Sequence, residues 1–329
     1  MTPNELYAEL LILLDEQGAA FAKSHYASDG SITRELISGI KTRGAGGCGS
    51  GCSSTPLAYA ANSDGSFTLI ERFMAKPRLI ILGGGHISLA LAQIAQLANF
   101  DTVIYDDRPS FANTVRFSTA KTVICDSFAR IGDHLTIGAS DFVVDVTRGH
   151  QHDKECLEAI LAGPEPAYTG MIGSQRRVAL VLGQLQEEGY DKERILRIHA
   201  PIGLRIGAQT PSEIAIAIMA QVIEVKRLHK GDTAWLSCDL ELAEQVAQKN
   251  FDPEAIVTVL ATQGSVPTEV GCKLGMTYEG TTAGSVGGGC SEAEAMRAGR
   301  EVIKNGGWKL LDIDLTDSAE DEGMVCGGT

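Results

Sequence analysis

A chain of 329 residues with 44% apolar side chains is long enough for two globular domains, and none of its apolar runs reaches the length of a membrane span. Its 42 acidic against 28 basic residues leave a formal charge of −14, which excludes an electrostatic footprint for nucleic acid or for an anionic membrane surface. Eight cysteines without an opening secretory segment point to a reducing compartment, the cytoplasm by default.

Helical spacing of Leu6, Leu10, Leu13 and Leu14 behind Pro3 and Asn4 predicts a helix from Asn4 to about Phe21. A second short helix is predicted over Ile32 to Ile40. The stretch from Arg43 to Ser54 is too glycine-rich for helix or strand, and its Cys48 and Cys52 make half a metal site at most. It reads as a structural loop or as a sulfur contact, and the role of the two thiols stays open. Leu57–Ala60 and Phe67–Glu71 flank Asn62-Ser63-Asp64-Gly65, the pattern of a hairpin.

Arg78–Leu82 then forms an apolar strand that runs into Gly83-Gly84-Gly85-His86, a helix from about Ile87 to Leu97, and a second strand, Thr102–Asp106. This is the opening of a doubly wound sheet. Gly83 and Gly85 let the backbone turn sharply, and with His86 at the helix start they offer N–H groups to an anion. Asp106 stands where a carboxylate would hold a ribose hydroxyl, while the third glycine of the dinucleotide pattern is Ser88 here. The other reading is a tight strand-to-helix turn that binds nothing.

Strand and helix keep alternating: strands at Thr122–Cys125 and Asp141–Thr147, a helix over Lys154–Leu161, a strand at Tyr168–Ile172, a helix from Ser174 to about Glu188, and a short strand at Ile195–Ile198. Thr210-Pro211-Ser212-Glu213 has the cap, proline and glutamate of a helix start, with the helix reaching about Leu228. The fold class is therefore α/β, a Rossmann-like doubly wound parallel sheet with a second, smaller α/β domain. Ligands of such sheets gather beyond the carboxyl ends of the strands. Arg148, His150, His152 and Asp153 arrive there; the H-x-H-D spacing reads as imidazoles for a metal, as a general acid, or as a plain capping loop with satisfied histidines. So do Ser174, Arg176 and Arg177, as a phosphate site or as a solvated helix face.

After a helix over Asp239–Lys249, strands are predicted at Ala255–Thr262 and Cys272–Tyr278. The loop Gly284-Ser285-Val286-Gly287-Gly288-Gly289-Cys290 follows, and Ser291 with Glu294 has capping-box spacing for a helix to about Asn305. Backbone N–H groups of this loop and helix start face one concavity, suited to a phosphate-bearing ligand. Cys290 lies on its lip, where the helix dipole would lower the thiol pKa. Cys326 stands in a second glycine turn, Cys326-Gly327-Gly328. The domains divide as 1–76, a helical and hairpin segment; 77–231, the doubly wound domain; and 232–329, the glycine-rich domain.

Several runs together resemble the xanthine dehydrogenase accessory factor family, XdhC/CoxI. In the Rossmann portion they are Gly83-Gly84-Gly85-His86, Asp106-Asp107-Arg108, Tyr168 to Ser174, and Pro201 to Ala215. In the smaller domain they are Gly264-Ser265, Gly284 to Cys290, and Cys326-Gly327-Gly328. In the family the small domain usually precedes the Rossmann domain, whereas here it follows, and Arg205 stands where an acid is expected. The resemblance implies a carrier or chaperone, rather than a stand-alone enzyme. Such a protein binds molybdenum cofactor (molybdopterin) and hands it to an apo molybdenum hydroxylase of the xanthine dehydrogenase type. It also implies terminal sulfuration of the metal with a cysteine desulfurase. On that reading Cys290 contacts the molybdenum and Cys326 is the second thiol. Gln263 lines the cavity, and the loop of Gly284, Ser285, Gly287, Gly288 and Gly289 takes the phosphate arm. The rival is an NAD(P)-dependent oxidoreductase, or a domain holding another nucleotide, built on Gly83–Ser88 and Asp106. The two ends of the chain invite completion by a neighbour, hence an expected homodimer.

Overall fold

The structure is a computed structural model that describes residues 1–37, 56–228, 237–264 and 266–313. The chain divides into two compact units, Met1–Ala75 with Gly231–Thr329, and Lys76–Lys230.

In the first unit, α1 (Pro3–Gln17) opens on a reciprocal cap: Glu5 N donates to Thr2 Oγ1 and Thr2 N to a Glu5 carboxylate oxygen. It ends at Gly18, whose φ of 75° is left-handed, so the expected run to Phe21 stops early and the chain turns into a strand. That strand, β1 (Ala19–Tyr26), joins β2 (Ile32–Ile37), β3 (Leu57–Ala61) and β4 (Phe67–Met74) in an antiparallel sheet of order β2-β1-β4-β3. The helix expected over Ile32–Ile40 is corrected to a strand over its described part. Ile32 and Leu36 have helical spacing, but β2 pairs along its full length with β1, from Tyr26 opposite Ile32 to Phe21 opposite Ile37. The hairpin of β3 and β4 has Tyr59 opposite Leu69.

The second unit runs β5 (Arg78–Leu82), α2 (His86–Leu97), β6 (Asp101–Asp106), β7 (Thr122–Cys125), α3 (Ile131–His134), β8 (Phe142–Asp145), α4 (His150–Ala162), β9 (Tyr168–Met171), α5 (Gln175–Glu187), α6 (Lys192–Leu196) and α7 (Pro211–Leu228). Its five strands are all parallel, in the order β7-β6-β5-β8-β9. Leu79–Leu82 and Phe142–Asp145 are buried throughout, as strands covered on both faces must be. One core joins Ile80, Leu82 and Val143 to Leu157 and Ile160 of α4 and Val181 and Leu185 of α5. Succession reverses at β5, which places the switch point at the carboxyl ends of β5 and β8. The strand expected at Ile195–Ile198 is instead the end of α6 at Ile195 and Leu196 followed by a turn, with Asp191 capping the helix by accepting from Glu193 N. A single bridge, His199 to Gly170, ties the stretch after it to the sheet.

The chain then returns to the first unit with α8 (Glu241–Ala247), β10 (Ala255–Thr258), β11 (Lys273–Met276), β12 (Thr282–Gly284) and α9 (Gly289–Asn305). The three strands form an antiparallel sheet, β10-β11-β12. Leu6, Leu10 and Leu14 of α1 share a core with Phe73 of β4 and Leu242 and Val246 of α8. Apolar side chains of α1 and β4 thus pack against α8, more than 160 positions further along the chain. Among the described residues no helix is long and apolar enough to cross a membrane.

Candidate functional site

At the switch point, Gly83 has φ +107°, and a Cβ there would lie 2.7 Å from Val146 O. A Cβ at Gly84 would lie 2.4 Å from Phe111 O, while at Gly85 nothing comes within 4 Å. Packing requires the first two glycines, and only Gly85 leaves open space. Arg116 holds the turn from outside, Nε to Gly84 O at 3.1 Å and Nη2 to Gly85 O at 3.2 Å. Ser88, in the third-glycine position, donates its hydroxyl to Gly83 O. Asp106 is buried; it accepts from Gly84 N at 2.7 Å and from Arg108 Nε and Nη2, each at 2.8 Å. Its carboxylate braces the turn, so a ribose would have to displace Arg108. His86 is exposed on the first turn of α2. Arg148 forks onto Asp107, at 2.5 and 2.7 Å, and holds that carboxyl down to about 2.

Below the turn, Arg177 donates to both oxygens of the fully buried Asp153, at 2.5 and 2.6 Å, and Thr147 Oγ1 donates to the same carboxylate. Asp145, also fully buried, accepts from Thr147 N at 3.2 Å, and its Oδ2 has no partner. Burial first, and then the charge of Asp153, pushes the Asp145 carboxyl well above the usual range. Ser174 caps α5 by accepting from Arg177 N, and Arg176 is exposed next to it. His150 is exposed, and His152 Nδ1 lies 3.2 Å from a Glu155 oxygen. No three His, Cys, Asp or Glu side chains among the described residues are grouped to hold a metal. The reading of His150, His152 and Asp153 as metal ligands is therefore corrected: Asp153 is committed to Arg177.

The glycine loop of the first unit turns through left-handed residues at Gly284, Gly287, Gly288 and Gly289. A Cβ on Gly284 would lie 2.3 Å from Lys273 O, whereas Gly288 and Gly289 face open space. Ser285 Oγ and Gly288 N both donate to Glu292, at 2.8 and 3.3 Å, and Gly287 N donates to Ser285 Oγ. Helix α9 starts two residues earlier than expected, with Gly288 as N-cap. Ser291 is not the cap: its hydroxyl donates back to Gly288 O, and Glu294 pairs with Arg297. Cys290 falls on the first turn, but its side chain lies outside the described residues, as do Cys326, Ser265, Cys48 and Cys52.

Beside this loop the same unit encloses a cavity of about 910 Å³. Its floor is one face of the four-stranded sheet, where Arg34, Ser24, Leu69 and Tyr59 stand opposite one another across the strands. Gln263, Thr268 and Ser291 line it from the other side. Tyr26, Phe67 and Trp308 form an aromatic wall with centroids 5.7 to 6.0 Å apart, and Trp308 Nε1 is fixed by Ala27 O at 2.9 Å. Lys273 and Glu71 also line it, almost wholly buried as an ion pair, with Lys273 Nζ also 2.9 Å from Thr258 Oγ1. Thr268 Oγ1 is buried and has no partner among the described residues. Val266, Pro267 and Thr268 also border a smaller hollow of about 330 Å³ lined by Ser285 and Gly287. Sequence reasoning did not single out Glu71 or Lys273. The available signal was a glutamate on the apolar phase of β4 (Phe67, Leu69, Glu71, Phe73) and a lysine opening a buried strand.

Comparison with known proteins matches residues 79–222 to the XdhC Rossmann domain and residues 247–314 to the XdhC and CoxI family. Uncharacterized protein YqeB of Escherichia coli K12 is 38% identical over 157 residues, 47% of this chain and 28% of that protein. The molybdenum cofactor insertion chaperone PaoD of the same organism is 28% identical over 162 residues, 48% of this chain and 43% of that protein. The crystal structure of a xanthine dehydrogenase from Bacillus halodurans superposes with a TM-score of 0.52 at 28% identity, over 68% of this chain and 64% of that one. The chain thus spans less than half the length of these curated relatives.

Proposed function

The chain belongs to the XdhC and CoxI family, and from that premise we propose that it carries molybdenum cofactor and matures a molybdenum hydroxylase of the xanthine dehydrogenase type. The observation that carries the reading is the open glycine face at Gly288 and Gly289, at the head of a long helix and beside a cavity of ligand size. The insertion-chaperone name of one E. coli relative supports it.

The residues present fit such a ligand. Backbone N–H groups at the first turn of α9 would take the phosphate arm, with Ser285 and Gly287 at the side. The Glu292 carboxylate now on Gly288 N is the anion's internal competitor. Gln263 and Thr268 line the adjoining space, Thr268 with an oxygen still lacking a partner. When bound, the cofactor supplies a soft metal–sulfur centre, for which a thiolate is the matching ligand. Cys290 would make that contact and, with Cys326, receive sulfur from a cysteine desulfurase by thiol–persulfide exchange. The oxidoreductase alternative has less support, because Asp106 is already bonded to Arg108 and Gly84 N.

Anaerobic purification, metal analysis and activation of an apo hydroxylase test the proposal. Molybdenum and pterin should copurify, and Cys290→Ser should abolish activation while leaving the melting temperature unchanged. A protein that takes up no cofactor from excess, or whose Cys290→Ser variant activates the client normally, would refute it.

A further inference from the structure

We infer that the large cavity binds a planar fused-ring heterocycle with a lactam edge, stacked against the aromatic wall and read by the Glu71–Lys273 pair. This deepens the reading above, on which it rests only for taking the heterocycle to be the pterin of the cofactor.

An ammonium and a carboxylate side by side present donors next to acceptors. A cyclic amide presents the complement, a C=O next to an N–H, and an amino group beside that N–H gives the carboxylate a second donor. Both residues are among those that line the cavity, with 2% of the Lys273 side chain and 7% of the Glu71 side chain exposed. Such a pair is not required for stability, since well-packed apolar residues of similar volume serve as well. Lys273 is further oriented by Thr258 Oγ1.

The wall supplies the second half of the recognition. Trp308, held by Ala27 O, and Tyr26 and Phe67 form a fixed apolar surface, which suits a flat ring whatever its substituents. Tyr59 extends it toward solvent, at 51% exposure, stacked on Phe67. Arg34 on the same floor provides a cation for an anionic arm. Tyr26, Tyr59, Phe67 and Glu71 all precede residue 79, where the first family match begins.

An oxopterin and an oxopurine share this edge, so a Trp235→Phe variant of the full chain, whose remaining indole is Trp308, is titrated calorimetrically with neopterin, GMP and xanthine while its fluorescence is followed. A saturable complex that quenches the indole is expected with at least one of them, and the responding probe names the source. The double variant Glu71→Leu/Lys273→Met should melt like the parent and bind about tenfold more weakly or worse, and Tyr59→Ala should weaken binding several-fold. Absence of binding by all three probes, or equal binding by the folded double variant, overturns the inference. The two readings fail separately. Full molybdenum loading by the double variant would sink this inference and leave cofactor carriage standing. Pterin binding by a protein that never loads molybdenum would do the reverse.

Discussion

Replacing Glu71 by Gln tests how the cavity is held together. Side-chain exposure is 2% for Lys273 and 7% for Glu71, so water offers the abandoned ammonium almost no relief. Thr258 Oγ1, the Phe73 ring 6.0 Å away and the new amide oxygen can still face it, but none of them carries a negative charge. Removing one member of such a pair costs ~3–5 kcal/mol, because the other is left as an uncompensated buried charge. The pH dependence carries the sign. Burial is the largest influence on Lys273 and lowers its pKa, but the Glu71 carboxylate, with Tyr7 and Cys238, outweighs it and leaves the group raised. In the parent, that stability is complete below the unfolded value of ~10.4 and is lost only above it. In Glu71→Gln burial prevails, and the folded state binds fewer protons than the unfolded one. The deficit is then largest at neutral pH and shrinks as pH rises toward ~10. Urea denaturation followed by tryptophan fluorescence at pH 7 and 9.5 measures both. A loss under ~1 kcal/mol at pH 7, or one that grows with pH, would refute the reasoning.

Asp145→Asn should raise the melting temperature between pH 5 and 8 and do little at pH 4. A carboxyl raised by burial and Asp153 gives its stability below the ordinary value of ~3.9 and loses it as pH climbs through the folded value. Destabilisation that is worst at pH 8 would contradict this. Gly284→Ala should unfold the first unit or cost well over ~2 kcal/mol, since its Cβ meets Lys273 O. Gly289→Ala, at φ +59° in open space, should cost only ~1 kcal/mol and report instead on ligand uptake. Arg148→Ala should cost no more than ~1 kcal/mol in a chemical melt, because both partners are partly exposed. Its effect should fade as pH falls toward 2, where the depressed Asp107 carboxyl protonates.

The opening of the parallel sheet was legible because its signals are local. A buried strand, a glycine turn and an apolar helix lie within twenty residues, and the structure keeps all of them. The helix start at Ser174 and the cap of Thr210 with Glu213 were readable for the same reason. Elsewhere a partner remote in sequence decided. Ile32–Ile37 has helical spacing, yet β1 supplies a ladder that the segment alone does not reveal. Ile195–Ile198 has the apolar look of a strand, but Asp191 caps a helix that runs into it. Ser291 with Glu294 fits a cap pattern, yet Gly288 and Gly289 adopt left-handed φ and start the helix sooner. The Glu71–Lys273 pair spans 202 positions, and only the folded chain brings its halves together.

Cys238 N donates to Arg72 O, and Met74 N donates to Ser237 Oγ. These bonds fasten the end of one polypeptide stretch to the start of another, with the whole of Lys76–Lys230 spliced between them. During translation the early hairpins leave the ribosome long before the segment that covers them, so their greasy side must wait while the intervening unit matures. The chamber is therefore among the last features to exist in a newborn molecule. Expressed alone, residues 76–230 should fold, and residues 1–75 should not.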